Sequence, residues 1–224
     1  AMYRKMDDLV GRTVAVLGPR DALLVISDHG FRPFKRGINL NAWLREEGFL
    51  KLKTGGESGG AWYEGVDWDK TQAYALGLSG IYLNLRDREA QGIVGAREAH
   101  ALKEAIRRKL AALEDPSSPD AKPVNRVFDA EEIYKGPYRD DAPDILVGYG
   151  DGYRISWDGA TGHAEGEVFE DNTKSWSGDH CVDPALVPGV LYSNLSIPAC
   201  EASLADMAPT VLDLFGIKAP PSMK

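Results

Sequence analysis

Cysteine is scarce in this chain, since only two occur among 224 residues, Cys181 and Cys200. No C-x-x-C pair and no Cys/His spacing of a zinc ribbon is present, which excludes a thiolate-held structural zinc and a small disulfide-stapled fold. So few thiols slightly favour a reducing compartment such as the cytoplasm, but the sequence leaves the cellular location open. A single Cys181–Cys200 disulfide stays open as an alternative.

Long apolar runs and a secretory leader are also missing. No apolar stretch approaches the roughly 18 residues that a membrane-spanning helix needs, and no basic segment followed by an apolar one opens the chain. We therefore expect no membrane span in it. The length fits one domain, or one domain with a small insertion, and 43% hydrophobic residues suffice for a core without a structural metal.

An excess of positive charge is absent as well. The formal net charge is −8, and nucleic-acid grooves need clustered Lys and Arg to neutralise phosphates. The densest basic cluster, Arg107-Arg108-Lys109, falls within a helical pattern and is typical of a solvated helix face. We expect no nucleic-acid-binding surface.

Two short apolar runs without alternation indicate strands that are buried on both faces. Ala22–Ile26 is followed by Ser27-Asp28-His29-Gly30, and Ile145–Val147 follows Pro143. Strands of this kind are typical of a parallel sheet covered by helices. Polar residues that follow such a strand occupy the position where α/β sheets place their sites. The pattern predicts an α/β fold.

The remaining patterns predict the other elements. Gly48 and Gly216 lie where helices stop, and Asp206 lies at an N-cap position ahead of Pro209 in a first turn. Short apolar segments predict strands, and segments rich in Gly or Ser predict loops. The strand predicted at 153–157 is expected to be more exposed than the buried strands. The predicted helices cover 3–17, 39–47, 95–113 and 207–215; the strands 49–52, 80–85 and 153–157; the loops 54–60, 115–122 and 158–179.

Two of the four histidines directly follow an aspartate, in Asp28-His29 and Asp179-His180. Asp28-His29 follows a predicted buried strand, and Gly30 allows a sharp turn that would let both side chains converge on one cation. Carboxylate and imidazole groups are the ligands that zinc and manganese sites use. The alternative is that Asp28 caps a turn while His29 packs beside it, and composition does not decide between the two.

The other candidate ligands are less specific. His180 lies in a polar loop region, where a lone histidine is more often a surface or core residue, and Cys181 beside it is more often a buried thiol. His100 falls in the predicted helix 95–113 and is interpreted as structural. His163 is interpreted as a solvated loop residue, with substrate contact as its alternative.

Three segments together carry a resemblance to a known family. "VISDHGFRPFKRGINLNAWLREEGFL" resembles the aspartate–histidine segment of the type I phosphodiesterase and nucleotide pyrophosphatase family, within the alkaline phosphatase superfamily. "WSGDHCVDPALVPGVLYSN" is similar to the segment that carries its third histidine, and "SLADMAPTVLDLFGI" is similar to its closing helix. The order and spacing agree from about residue 3 to the end of the chain.

This resemblance implies a three-layer α/β/α alkaline-phosphatase-like fold with a mixed, mostly parallel sheet, of which the chain is the C-terminal part. It implies a phosphodiesterase or phosphohydrolase that uses two divalent ions, usually zinc. Asp28 and His29 would bind the ion that also activates the nucleophile, and His180 would bind the second ion. Two cations neutralise phosphoryl oxygens, so an acidic chain can still take a phosphate-ester substrate.

The chain departs from the family before Asp28. Family members place there an aspartate, a Thr or Ser nucleophile and further metal ligands, whereas this stretch has no histidine and only Thr13 and Ser27 as Thr or Ser. We therefore expect that the catalytic nucleophile is missing from the chain, that two ions bind weakly or not at all, and that the chain by itself is inactive. An inserted subdomain is expected around 54–140.

Two alternative functions are open. A sulfatase or phosphopentomutase-like relative would share these ligands, and the local motif around the nucleophile would decide between the reactions. A non-catalytic binding module or degenerate relative would have lost ligands, whereas Asp28, His29 and His180 all stand at matching positions. That match favours an active parent enzyme.

The sequence leaves the substrate unidentified. The loops 54–75 and 158–178 are expected to shape the pocket, but nothing in them indicates a nucleotide, lipid or sugar. If strands that pair with this part of the sheet are missing, the apolar runs Ala22–Ile26 and Ile145–Val147 would be uncovered. Because an exposed strand edge recruits other chains, this predicts self-association.

Overall fold

The computed structural model describes residues 1–54, 60–197 and 202–223. The chain divides into two compact units, one formed by Ala1–Gly30 with Pro188–Lys224 and the other by Phe31–Val187. The helices are α1 Met2–Val14, α2 Leu40–Glu46, α3 Ala96–Ala111, α4 Ala130–Ile133, α5 Trp157–Ala160 and α6 Met207–Leu214. The strands are β1 Leu24–Ile26, β2 Arg32–Ile38, β3 Ala73–Leu76, β4 Gly80–Leu83, β5 Val124–Asp129, β6 Ile145–Tyr149, β7 Gly152–Ile155, β8 Phe169–Asp171, β9 Gly178–Asp179 and β10 Leu191–Ser193.

The larger unit contains a four-stranded antiparallel sheet in the order β3-β4-β6-β5. β3 and β4 form a hairpin whose turn contains Gly77 at φ +72°, a left-handed conformation that glycine adopts without strain. β6 lies between β4 and β5, and its residues Ile145 and Val147 are buried, as predicted. The expectation that this run is uncovered is wrong, because neighbouring strands occupy both of its edges.

The second sheet of this unit is built around β2. β7 pairs with β2 in parallel, while β8 and β9 pair with it antiparallel. The strand predicted at 153–157 exists as β7, but the expectation that it is more exposed is wrong, since Tyr153, Arg154 and Ile155 are all buried. Successive side chains of a strand point to opposite faces, so both faces of β7 are covered.

The expected single, mostly parallel sheet is not what the chain forms. The structure is mixed α/β with several small sheets that are mostly antiparallel, and β2–β7 is the parallel pair among the named strands of the described residues. Parallel neighbours need a crossover of a dozen or more residues, whereas residues 77–79 alone connect β3 to β4. The α/β class is confirmed and the mostly parallel sheet is corrected.

The core of the larger unit lies around α2. Asn39 caps this helix, because its Oδ1 accepts the N–H groups of Asn41 at 3.1 Å and Ala42 at 3.0 Å. Gly48, at φ +83°, follows the helix as predicted. One buried apolar cluster joins α2, α3 and strands of both sheets, and includes Ile38, Leu40, Trp43, Leu44, Leu50, Ala75, Ile81, Leu83, Ile106, Leu110, Ile145, Val147 and Ile155.

The smaller unit contains α1, α6 and a ribbon in which β1 pairs antiparallel with β10. Both helices were predicted, and Gly216 after α6 has φ +67°. The prediction that Ala22–Ile26 is buried on both faces is wrong, because within the part of the chain that the structure describes β1 has one strand partner, and Ile26 is 45% exposed. None of the described residues of this unit is buried, because a two-stranded ribbon and two short helices enclose little volume.

Two further expectations need correction. Residues 49–52 do not form a strand; Leu52 makes an isolated bridge with Val66, and the apolar character of the segment reflects the burial of Phe49 and Leu50. The expected loop 158–179 contains most of α5 and the strands β8 and β9. The two strands form because each pairs with β2, which is distant in sequence, although their own residues show no periodicity.

Other expectations agree with the structure or stay open. The segment 115–122 carries no helix or strand, as predicted. Of the expected loop 54–60, residues 55–59 lie outside the described residues, and the inserted subdomain around 54–140 stays a prediction. Among the described residues, no helix combines the length and apolarity needed to cross a membrane.

Candidate functional site

The backbone that leads into Asp28 is held against residues 189–190 of the smaller unit. The N–H of Ser27 donates to the Val190 carbonyl at 3.0 Å, and the N–H of Val190 donates to the Ser27 hydroxyl at 3.0 Å. A Cβ on Gly189 would lie 2.3 Å from the Ser27 carbonyl oxygen, so a residue without a side chain is required there. The chain therefore leaves β1 in a fixed direction just before Asp28.

The side chains of Asp28 and His29 lie next to each other. Nε2 of His29 is 3.7 Å from Oδ2 of Asp28, and the two side chains are 31% and 68% exposed. Nδ1 of His29 donates to the Gly30 carbonyl at 2.9 Å, and Nε2 is the ring nitrogen on the side of the Asp28 carboxylate. A carboxylate oxygen and an imidazole nitrogen thus face the same region at the solvent boundary.

His180 belongs to the larger unit, in the turn that follows β9. β9 is aligned with β2, where Asp179 is opposite Arg32. The His180 ring packs edge-on against Phe31, with centroids 5.5 Å apart and an interplanar angle of 74°, and its side chain is 43% exposed. The structure therefore brings Asp28 and His29 together in one unit and places His180 in the other.

Asp179 is a buried anchor of this turn that the sequence analysis did not single out. Its Oδ1 accepts the N–H groups of His180 at 2.6 Å and Cys181 at 3.0 Å, and its Oδ2 is 2.9 Å from Nη1 of Arg154. Burial alone raises the pKa of Asp179, but these N–H groups and the Arg154 charge outweigh it and hold the pKa below its ordinary value. The second Asp-His pair was the sequence signal that could have drawn attention to Asp179.

Cys181 lies beside these groups without the properties of a ready metal ligand. Ligand atoms of Asp179, His180 and Cys181 all lie within 4.8 Å of one another. Burial, together with the hydrogen bond and charge of Asp179, raises the pKa of the Cys181 thiol to about 11, whereas metals bind the thiolate. This favours the interpretation of Cys181 as a partly buried thiol. Its disulfide alternative involves Cys200, which lies outside the described residues.

The two remaining histidines lie in the larger unit, and their interpretations stay predictions. His100 is exposed on α3. His163 follows α5 and is partly buried, and its N–H donates to the Asp158 carbonyl at 3.0 Å.

Both loops that were expected to shape a pocket line cavities in the larger unit. Residues of 54–75, namely Tyr63, Trp68 and Tyr74, line a cavity of about 360 Å³. Residues of 158–178, including Trp176, line a second one of about 260 Å³ with Arg154 at its wall. Neither lining includes Asp28, His29 or His180 among the described residues, so the substrate pocket stays a prediction.

Comparison with known proteins shows which family the chain belongs to. No curated protein and no solved structure matches it. A sequence model described as "Type I phosphodiesterase / nucleotide pyrophosphatase" matches residues 1–183, which include Asp28, His29 and His180. Since this match covers most of the chain, the protein belongs to the type I phosphodiesterase/nucleotide pyrophosphatase family, a family of phosphoric ester hydrolases.

Proposed function

We propose that the chain carries metal-ligand segments of a divalent-metal-dependent phosphodiesterase or phosphohydrolase. Asp28 and His29 together hold one ion, and His180 holds the second. Family membership supports the reaction class and phosphate esters as substrates. The observation that carries the ligand assignment is the 3.7 Å spacing between Nε2 of His29 and Oδ2 of Asp28.

This pair of donors suits zinc. Two ligand atoms bonded at about 2.1 Å to a tetrahedral ion lie roughly 3.4 Å apart, close to the 3.7 Å between the His29 and Asp28 atoms. The Nδ1 proton of His29 goes to the Gly30 carbonyl, and metal-binding histidines commonly donate their other N–H to such an acceptor. When bound, divalent ions here would neutralise phosphoryl oxygens and lower the pKa of the attacking group.

His180 contributes an imidazole whose orientation is restricted. Its backbone N–H is bound by the Asp179 carboxylate, and its ring lies against Phe31. With 43% of the side chain exposed, the ring can be approached from solvent. These contacts support His180 as the ligand of the second ion.

The reaction is proposed to pass through a phospho-enzyme intermediate whose nucleophile is absent from this chain. The Thr13 hydroxyl donates to the Leu9 carbonyl at 3.0 Å within α1. The Ser27 hydroxyl accepts the Val190 N–H. Both hydroxyls thus support local backbone structure, which favours neither as the attacking group.

Zinc titration followed by the histidine ring signals in NMR spectra tests the ligand assignment, because this method detects weak binding. We expect the signals of His29 and His180 to shift on titration and those of His100 to stay unchanged. Replacing one ligand of a site should weaken binding at that site at least tenfold. The variants are His29→Ala, Asp28→Asn and His180→Ala, and His100→Ala on the exposed face of α3 is the matched control.

Two results would contradict the proposal. Equal zinc affinity of the wild type and both ligand variants, His29→Ala and His180→Ala, would exclude these residues as ligands. Absence of any zinc-induced shift at these rings at millimolar zinc would favour the non-catalytic binding module instead.

A further inference from the structure

Arg154 of β7 is almost completely buried, at 2% exposure, although it is charged at every physiological pH. Its guanidinium carbon lies over three aromatic rings, 4.4 Å from the centroid of Trp157, 5.0 Å from Trp176 and 5.3 Å from Phe34. Such contacts partly replace water around the cation. Nε and Nη2 have no hydrogen-bond partner among the described residues, and Nη1 is the nitrogen that approaches a carboxylate.

The group that balances the charge of Arg154 is Asp179, which is itself only 3% exposed. Oδ2 of Asp179 lies 2.9 Å from Nη1 of Arg154. Oδ1 of the same carboxylate accepts the backbone N–H groups of His180 and Cys181. The Asp179 carboxylate therefore connects the turn that carries His180 to the Arg154 guanidinium, which three aromatic rings surround.

Stability alone does not account for this arrangement. Removing two charges from water costs several kcal/mol per ion, and replacing a buried ion pair with apolar residues is often neutral or stabilising. A buried pair does fix geometry, however, because each partner is strongly penalised if it leaves the other. The Arg154–Asp179 pair is thus suited to hold a neighbouring group in one orientation.

We propose that Arg154 and Asp179 are positioning residues that hold the His180 imidazole in the direction from which it binds a metal ion. The inference rests on the proposed function, in which His180 is a metal ligand. The guanidinium fixes the carboxylate, the carboxylate fixes the N–H groups of His180 and Cys181, and Phe31 confines the ring from its side. Outer groups of this kind commonly contribute 10- to 100-fold to metal affinity.

The geometry disfavours the alternative that Asp179 is itself a metal ligand with His180 and Cys181. Oδ1 of Asp179 already accepts two N–H groups, and Oδ2 lies 2.9 Å from Nη1 of Arg154 as an ion pair, without an aligned hydrogen bond among the described residues. A cation bonded to this carboxylate would also lie next to the guanidinium, and like charges at that distance repel.

The experiment compares variants of the whole chain by zinc titration and by nuclear Overhauser contacts between the His180 and Phe31 rings. Asp179→Ala alone leaves Arg154 buried without a counter-charge, which strongly destabilises a fold, so Asp179 is replaced only together with Arg154. The double variant Arg154→Met/Asp179→Ala has no unpaired charge, and we expect it to fold and to unfold in a single cooperative transition. We expect it to lose the ring contacts and to bind zinc at His180 at least tenfold more weakly.

A conservative variant provides the rescue. Arg154→Met/Asp179→Asn removes the same charges but keeps an amide oxygen that can accept the N–H groups of His180 and Cys181. We expect it to recover part of the lost affinity. Arg36→Met/Asp115→Asn is the matched control, because it also removes both charges of an ion pair with a fully buried carboxylate in the same unit, and it should leave zinc binding at His180 unchanged.

The outcomes distinguish the two levels of the proposal. Wild-type zinc affinity in a folded Arg154→Met/Asp179→Ala chain, while His180→Ala loses affinity, would overturn the positioning role and leave the proposed function intact. Tighter zinc binding in Arg154→Met would also overturn it, because it would identify the released Asp179 carboxylate as a ligand. Unchanged affinity in His180→Ala would overturn both proposals.

Discussion

Asn41 of α2 is joined to Ala75 of β3 by two hydrogen bonds that imitate the pairing of a neighbouring strand. Nδ2 of Asn41 donates to the Ala75 carbonyl at 2.8 Å, and Oδ1 accepts the Ala75 N–H at 2.8 Å. The same Nδ2 donates to the Gly159 carbonyl at 3.0 Å. Because Asn41 is completely buried, water cannot replace these bonds, and one amide connects α2, β3 and α5.

Replacement of this amide should therefore be costly. We expect Asn41→Ala to lower the free energy of unfolding by roughly 2–5 kcal/mol, since each buried polar group left without a partner costs about 1–3 kcal/mol. Urea unfolding measures the change. Asn172→Ala removes similar bonds at a half-exposed position, and a loss for Asn41→Ala no greater than for this control would show that the buried amide is dispensable.

A buried carboxylate gives the stability of the larger unit a predictable dependence on pH. The hydrogen bonds from Arg126 and Asn125, with the N–H of Ala185, outweigh burial and hold the pKa of Asp183 below its ordinary value. A depressed pKa in the folded state means that the stabilisation is complete above the unfolded pKa, about 3.9, and is lost as the pH falls through the folded pKa.

The measurement compares unfolding of the wild type and Asp183→Asn between pH 7 and pH 2. We expect the difference in unfolding free energy to be constant above about pH 5 and to shrink as the pH falls below about 4. Asp140→Asn, at a side chain that is 86% exposed, should show little difference at any pH. A gap between wild type and Asp183→Asn that widens in acid would refute the assignment.

Zinc should not remain bound to this chain at two ions per molecule. Tetrahedral zinc takes four ligands, whereas the proposal gives one ion Asp28 and His29 and the other His180. We expect metal analysis after dialysis against zinc-free buffer to find clearly fewer than two zinc ions per chain. Two retained zinc ions would mean that further ligands are present and that the ligand set is incomplete as proposed.

Turnover of phosphate esters should be absent in the chain by itself. The Thr13 and Ser27 hydroxyls are engaged in local hydrogen bonds, and under the proposal that the nucleophile is missing, charge stabilisation would have no attacking group to act on. We expect bis-p-nitrophenyl phosphate and p-nitrophenyl phosphate to be cleaved no faster than in a blank with zinc or manganese alone. Activity above the blank that Asp28→Asn abolishes would show that the chain supplies its own nucleophile.

Self-association should occur through the smaller unit. None of its described residues is buried, and α1, the turn after it and the C-terminal segment expose large apolar side chains, among them Tyr3, Val16, Phe215 and Ile217. Exposed apolar surface favours contact with a second copy, and so does the edge of β1 that has no partner strand among the described residues. Light scattering over a tenfold concentration range should show a rising mass, while a constant monomer mass would refute the prediction.

Local signals in the sequence determined much of the fold and part of the candidate site. The periodicity of α3, the stop at Gly48 and the Asp-His pair after an apolar strand depend on neighbouring residues, and short-range sterics and hydrogen bonding decide them. The resemblance carried the family assignment because its motifs are contiguous in the chain. Because Asp28 and His29 are neighbours in the chain, both could be proposed as ligands of one ion before their geometry was known.

Only the tertiary structure decided how the strands pair and what surrounds His180. A buried apolar run fits a parallel or an antiparallel neighbour equally well, so β6 gave no indication of its antiparallel partners β4 and β5. Arg154 and Asp179 are 25 residues apart in sequence, and no periodicity connects them. The two residues meet because β7 and β9 both pair with β2. Three aromatic rings surround the Arg154 guanidinium, a charged group that the sequence alone would assign to the surface.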